Sequence, residues 1–221
     1  MNRNINVVTL RFGNTLKPNE VQLFRGAVIA SMDENNVLMH NHQEEGYRYS
    51  YPLVQYPLIG ERPAVVCVGE ATDLIGELQQ IHHSELEIGK RVMKAVIEEL
   101  SSQNVDIGDG NTVYHYHISN WLPLNEENHE KYIKIEDLAE KLQMLKKILV
   151  GNILSCLKGL GIKVEFPIVC TLSHLSDAKP VHYKGVDLDS YEAEFSANVN
   201  LPCYISIGKN ASLGHGRIEK K

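Results

Sequence analysis

The chain has little of what marks a special environment. Its four cysteines, Cys67, Cys156, Cys170 and Cys203, include no CxxC pair. Neither a disulfide framework nor a zinc knuckle fits them, and they are expected as reduced core residues. No apolar run approaches the ~18 residues that cross a bilayer, and the opening MNRNINVVTLRFGN has no apolar block behind basic residues. The expectation is a soluble, cytoplasmic chain with no membrane partner. Positive charge is not in excess either: 22 Lys and Arg against 28 Asp and Glu give a net −6. That balance argues against indiscriminate nucleic-acid binding, which depends on many phosphate contacts, yet leaves room for a small selective basic site. The remaining composition, 43% hydrophobic over 221 residues, is that of a globular protein of one large domain or two small ones.

The acidity is confined to the first half. Residues 1–110 carry 9 Lys and Arg against 15 Asp and Glu, whereas residues 111–221 carry 13 of each. At the end, Lys209, Arg217, Lys220 and Lys221 face only Glu219. Patterning predicts a strand over 6–12, a helix over 18–31 with Pro18 at its first turn, a hairpin from Leu53–Ile59 and Ala64–Val68, and a helix over 70–81. Residues 86–100 mix strand and helix signals. The polar stretch 101–111 reads as a linker or long turn and marks the boundary between domains 1–105 and 106–221.

In the second half Val113–Ile118 reads as a strand, and 135–160 as the clearest helix. Its stripe Leu138, Leu142, Leu145, Leu149, Ile153, Cys156 and Leu160 stops at Gly159 and Gly161. Strands follow over 162–172, 181–186 and 191–198, with Lys184-Gly185 at a turn. The element order predicts an α+β fold of two tandem ferredoxin-like (RRM-like) β-α-β-β-α-β units.

Two regions carry residues suited to chemistry. His40 and His42, followed by Tyr47, Tyr49 and Tyr51, put two imidazoles on one face of an extended segment, roughly 6.5–7 Å apart at Cα. One neutral and one charged imidazole can accept and donate a proton near neutral pH, which is what metal-free RNA cleavage requires. The plain alternative is two exposed loop histidines in a chain with ten. A metal reading lacks ligands, because Gly46 and Tyr47 stand where a cupin-type site has its glutamate. The second region is Ser206-Ile-Gly208-Lys209-Asn-Ala-Ser-Leu-Gly214-His215-Gly216-Arg217. Its glycines let backbone approach a phosphate or base beside two cations, although no GK[ST] closes it as a Walker loop. Lys146-Lys147 is most simply a solvated helix face, and the lone Trp121 a core residue.

Taken in order, these pieces resemble a known family. They are His40-Asn-His42, the run Tyr51–Ile59, Trp121–Asn128, Lys147–Ile153, Val181–Gly185, Asn198–Pro202 and the glycine-rich end. Together they are similar to the RAMP superfamily of CRISPR-associated proteins, in the subtype I-B repeat-RNA processing form. The resemblance implies a metal-independent endoribonuclease that needs no cofactor and cuts precursor CRISPR RNA within its repeats, leaving 2′,3′-cyclic phosphate and 5′-hydroxyl ends. It implies His40 and His42 as the catalytic pair; independently, the chemistry calls for a group that orients an imidazole or donates to the phosphate, and Tyr47 or Tyr49 is the candidate. RNA contacts are implied at Gly208, Lys209, Gly214, His215, Gly216 and Arg217, with Lys146 and Lys147 as further candidates.

The implied partners are repeat RNA and mature CRISPR RNA. Association with the subtype I-B interference complex and homodimerisation are left open. So is the alternative of a non-catalytic repeat-RNA binding RAMP subunit. If the histidine pair is not the site, His117 and His174 are next in line. Two departures stand out: Ser206 occupies the position of the loop pattern's first glycine, which sets that end farther from RNA, and the first half is unusually acidic.

Overall fold

The opening strand, β1 (Asn4–Phe12), buries side chains on both faces, and that determines the architecture around it. Ile5 and Val7 belong to one hydrophobic core, Leu10 and Phe12 to another. The computed structural model describes residues 3–32, 51–182 and 185–221, together with the backbone of 42–43, 46–47 and 183. After β1 come α1 (Val21–Ala30), the short strands β2 (His42–Gln43) and β3 (Gly46–Tyr47), then β4 (Val54–Gln55), β5 (Leu58–Ile59) and β6 (Arg62–Val68). A 3-10 segment, Gly69–Leu74, leads into α2 (Ile75–Gln79), and β7 (Glu85–Ile88), β8 (Arg91–Lys94) and β9 (Ile97–Asp106) complete the first lobe. Its antiparallel sheet has the order β4-β6-β1-β9, with β5 on β6. Phe24 of α1 covers one face, edge-on to Phe12 at 5.3 Å and to Tyr56 at 6.3 Å.

The second lobe holds β10 (Tyr114–Trp121), α3 (Glu126–Tyr132), α4 (Leu138–Gly159), β11 (Cys170–Leu175), β12 (Lys179–Tyr183), β13 (Val186–Ala197) and β14 (Arg217–Lys220). Its sheet order is β11-β13-β10-β14, with β12 on β13. Each lobe thus places its first strand between its third main strand and its last, an arrangement consistent with ferredoxin-like units. The match is incomplete. In the first lobe the second helix is only five residues of α2, and in the second lobe a loop with one 3-10 turn, Ala211–Leu213, stands where that helix would be.

α4 shows how local sequence sets an element's ends. Asp137 caps it, its side chain accepting from the Glu140 N–H at 3.2 Å. At the other end Gly161 (φ +69°) turns the chain left-handed. Ile162 N–H then reaches the Leu157 carbonyl at 2.9 Å, and Gly161 N–H the Lys158 carbonyl at 3.0 Å. This is a Schellman stop. Between the ends, Leu145, Leu149, Ile153, Cys156 and Leu157 are buried in one core. They share it with Ile5, Val7, Val66 and Val68 of the first lobe and Tyr116, Ile118, Trp121 and Phe195 of the second. The lobes therefore share a core across α4. Among the described residues no helix is long and apolar enough to cross a membrane.

Several expectations need correction. The polar stretch 101–111 is not a linker up to Asp106: Ser101–Asp106 is the end of β9, paired with β1 from Thr9↔Ser101 to Asn4↔Asp106. A sheet-edge strand tolerates polar side chains on both faces, and the turn itself comes later, at Gly108 and Gly110 (φ +83° and +86°). The ambiguous 86–100 is wholly strand apart from short connections, with Gly89 turning β7 into β8. The helix expected over 70–81 begins as 3-10 (Gly69–Leu74) and is α-helical only over Ile75–Gln79. In 162–172 only Cys170 onward is strand, because the alternation of Val164, Phe166 and Ile168 reflects contact with the core from an irregular segment. The stripe of α4 also leaves the core at Leu138 and Leu142.

A shared core predicts cooperative unfolding. Leu149→Ala should cost about 2–5 kcal/mol in urea denaturation, and Trp121 fluorescence and far-UV dichroism should report one coincident transition. Two separated transitions would show lobes that fold independently.

Candidate nucleic-acid interface

The glycine-rich loop is built into the molecule rather than left open. Ile207 N–H bonds to the Gly216 carbonyl at 2.9 Å, and Gly216 N–H to the carbonyls of Ser119 and Asn120 at 3.0 and 3.1 Å. These contacts fold residues 207–216 back onto β10. On the other side the loop meets the first lobe. Tyr56 N–H donates to the Ser212 carbonyl at 2.9 Å, and Leu213 packs against the first-lobe core. The fully buried Gln55 clasps Ser206: the Ser206 N–H donates to its Oε1 at 2.7 Å, and its Nε2 donates to the Ser206 carbonyl at 3.3 Å. A second glutamine, Gln103 of β9, does the same to Cys203 at 3.0 and 3.2 Å.

The glycines answer to this packing. A Cβ at Gly214 (φ +80°) would lie 2.3 Å from Pro57 Cα, and one at Gly216 (φ +73°) 2.1 Å from the Ile207 carbonyl oxygen. Both positions need a residue without a side chain, on conformational and steric grounds alike. Gly208 (φ +91°) lies beside Asn152, whose Oδ1 accepts from Trp121 Nε1–H at 3.0 Å. Trp121 is fully buried, as its isolation in the sequence suggested.

The cations divide into spent and available ones. Arg217 is 12% exposed at its side chain, paired with Glu219 at 2.5 Å, with Nη2 3.5 Å from Ser119 Oγ. Lys221 pairs with Glu194. Lys209 is half-buried, and Lys220 is exposed, with its ammonium 6.0 Å from the Tyr114 ring centre. Burial holds the His215 imidazole below its ordinary pKa, opposed in part by a hydrogen bond to the Asn120 backbone. Lys146 and Lys147 are exposed on α4, beside a crevice of about 260 Å³ that also involves Gln143 and Val150.

Of the histidine region, His40 and Tyr49 lie outside the described residues. The backbones of His42 and Tyr47 are register partners in the β2–β3 pair. His174 is exposed. His117 is tied into the outer face of the second sheet, with Nε2 3.3 Å from Glu192 and Nδ1 3.3 Å from Ser119 Oγ. Glu192 also accepts from Asn120 N–H at 3.0 Å. Asn120 sits at a bulge of β10 with φ +51°, a strained position next to the loop's return. Sequence reading missed Gln55, Gln103 and Asn120, because hydrogen bonds to distant backbone leave no spacing in the sequence.

Among the described residues no group of three or more His, Cys, Asp or Glu is arranged to hold a metal. Burial pushes the thiols of Cys67 and Cys156 up to about 12 and that of Cys170 up to about 11, so they are inert core thiols.

Residues 3–106 match the family described as Cas6b N-terminal domain, and residues 108–221 match Cas6b C-terminal domain. A crystal structure of Cas6b is similar over 99% of this chain and 100% of that one, with a TM-score of 0.86 and 26% identity. A CRISPR RNA processing endoribonuclease Cas6b has the same fold at a TM-score of 0.76 and 24% identity, over 99% and 100% of the two chains. An uncharacterized protein of Methanocaldococcus jannaschii is 38% identical over 108 residues, 49% of this chain and 72% of that protein.

The seam makes a prediction about the loop. Gly214→Ala should lower the unfolding free energy by about 2 kcal/mol or more through backbone strain and the clash at Pro57, while Lys209→Ala should stay within about 0.5 kcal/mol. Denaturant midpoints measured side by side check it; equal midpoints would mean the loop does not need this close approach.

Proposed function

Because the chain belongs to the Cas6b family, we propose that it cleaves CRISPR precursor RNA within each repeat, by metal-independent transphosphorylation. The observation that carries this reading is the match of both halves, in order, to the two Cas6b domains, reinforced by the likeness to a Cas6b crystal structure along the whole chain. An RNA-endonuclease role is the common ground of the family. The chemistry and its residues are our reading. We further read the two lobes, 1–105 and 106–221, as divergent ferredoxin-like repeats, the second having replaced its last helix with the glycine-rich loop.

In the proposed reaction the ribose 2′-oxygen attacks the adjacent phosphorus as its proton passes to one imidazole. The bond to the 5′-oxygen breaks as that oxygen takes a proton from the other. The products are a 2′,3′-cyclic phosphate and a 5′-hydroxyl, with no water consumed and no net change in protons. His40 and His42 take these roles, each worth about 10²–10⁴ in rate. Holding the 2′-oxygen in line with the leaving oxygen supplies the remainder. We assign Tyr47 or Tyr49 the part of orienting an imidazole or donating to the phosphate. RNA lies against the second lobe, away from the net-negative first lobe. Lys209 and Lys220 supply its phosphate contacts more readily than Arg217, whose guanidinium is already paired.

One gel tests the proposal. Purified protein incubated with its own repeat RNA and excess EDTA should yield cyclic-phosphate ends. His40→Ala and His42→Ala should each slow the single-turnover rate at least about tenfold with little loss of RNA affinity. Cleavage abolished by chelator and restored by magnesium would sink the chemistry; wild-type rates in both variants would move the site elsewhere. RNA bound but never cut would favour the non-catalytic reading.

A further inference from the structure

The amino-terminal half of α4 is where its apolar stripe leaves the core. Leu145, Leu149 and Ile153 are fully buried, but Leu138 is 68% and Leu142 36% exposed, and Ile133 just before them is 60% exposed. Leu138 and Leu142 line a groove of about 480 Å³ with Tyr132 of α3, Leu172 and Leu175 of β11, and Tyr191 of β13. Helix α4 forms one wall and the strand the other.

Carboxylates outnumber cations around this groove. Between residues 126 and 142 six carboxylates face three lysines. Two of those lysines are engaged locally: Lys131 pairs with Glu127 at 2.6 Å, and Lys141 sits 5.3 Å over the Tyr132 ring. Asp137 caps α4 immediately before Leu138, and the opposite wall carries Asp177 together with His174. Asp189 lies 3.6 Å from His129, close enough to Tyr191 to act on its phenol electrostatically. An apolar floor inside an acidic rim repels a phosphate backbone and attracts a cationic, partly apolar partner.

We propose that this groove docks an amphipathic helix of a partner protein, with leucine-like anchors on one face and Lys or Arg on its flanks. Leu138 and Leu142 are one turn apart, about 6 Å along the axis, which matches anchors spaced three or four residues apart on a docked helix. A helix satisfies its own backbone, so the groove's apolar floor need not supply hydrogen bonds, as an extended peptide would require. The flanking carboxylates set polarity and partner choice, and the leucines supply the buried contact. Leu138, Leu142 and Asp177 belong neither to the proposed histidine pair nor to the glycine-rich loop, and His174 of the same groove is left unchanged, so docking and RNA cleavage are separable.

The probe is a fluorescein-labelled Leu/Lys amphipathic helix titrated into the full-length protein by anisotropy. A Leu/Glu helix of the same pattern is the comparator. The Leu/Lys helix should bind, and the double variant Leu138→Ser/Leu142→Ser, which removes the apolar anchors without adding charge, should weaken it at least about tenfold while leaving repeat-RNA cleavage at the wild-type rate. Asp177→Lys, at an exposed position, should weaken it independently of the apolar floor. The proposal is overturned if the Leu/Lys helix does not bind, if the variants bind it as the wild type does, or if the Leu/Glu helix binds equally well. Displacement of the helix by repeat RNA would assign the groove to nucleic acid. A dimer split by the double variant would assign it to a second copy, and either result also overturns the proposal.

Discussion

The side-chain amide of Gln55 and the backbone of Ser206, 151 residues apart in sequence, form a reciprocal pair of hydrogen bonds in a fully buried site. Neither partner has water as an alternative there, so removing the Gln55 amide leaves the Ser206 N–H and carbonyl unsatisfied, at about 1–3 kcal/mol each. The pair fixes where the carboxy-terminal loop crosses the first lobe. Once Ser206 is held, Tyr56 meets Ser212 and Gly214 must pass Pro57 at a distance no side chain allows. Gly216 then returns the chain to β10 and delivers Arg217 to β14. The loop is thus a strap between lobes, and its glycines are constrained by protein packing alone.

The strap and the core around α4 reinforce one another. α4 supplies the apolar surface that both sheets share, while Gln55, Gln103 and the loop close the polar side of the same junction. A joint of this kind keeps the lobes at a fixed mutual angle, which in-line attack on an RNA phosphate needs if groups from one lobe act on a strand bound by the other. The uneven charge fits such a division of labour. The first lobe carries the net negative charge, and Lys209 and Lys220 belong to the second.

Legibility in the sequence followed the range of the interaction concerned. α4 was readable because its signals are local: three- and four-residue apolar spacing, an aspartate cap and a glycine stop. The loop was readable as a place, from Gly208, Gly214 and Gly216, but what those glycines approach was not, because Pro57 lies far off in sequence. The polar half of β9 was misread as a linker, since an edge strand lacks the alternation that marks a half-buried one. Leu138 and Leu142 were read as core from periodicity alone, which cannot say where along a helix the covering sheet ends. The glutamine clasps left no pattern at all: a side-chain amide pairing with distant backbone has no spacing to detect. The family likeness came from the order of many weak segments, and the histidine pair it singles out falls in the stretch about which the fold says least.

Native-state hydrogen exchange of individual amides measures the strap most directly. If the loop is fixed between the lobes by buried hydrogen bonds, the amides of Tyr56, Ser206 and Gly216 should exchange in the free protein with protection approaching that of core strand β10. Exchange of those three amides at the rate of an open surface loop, with β10 still protected, would contradict the account.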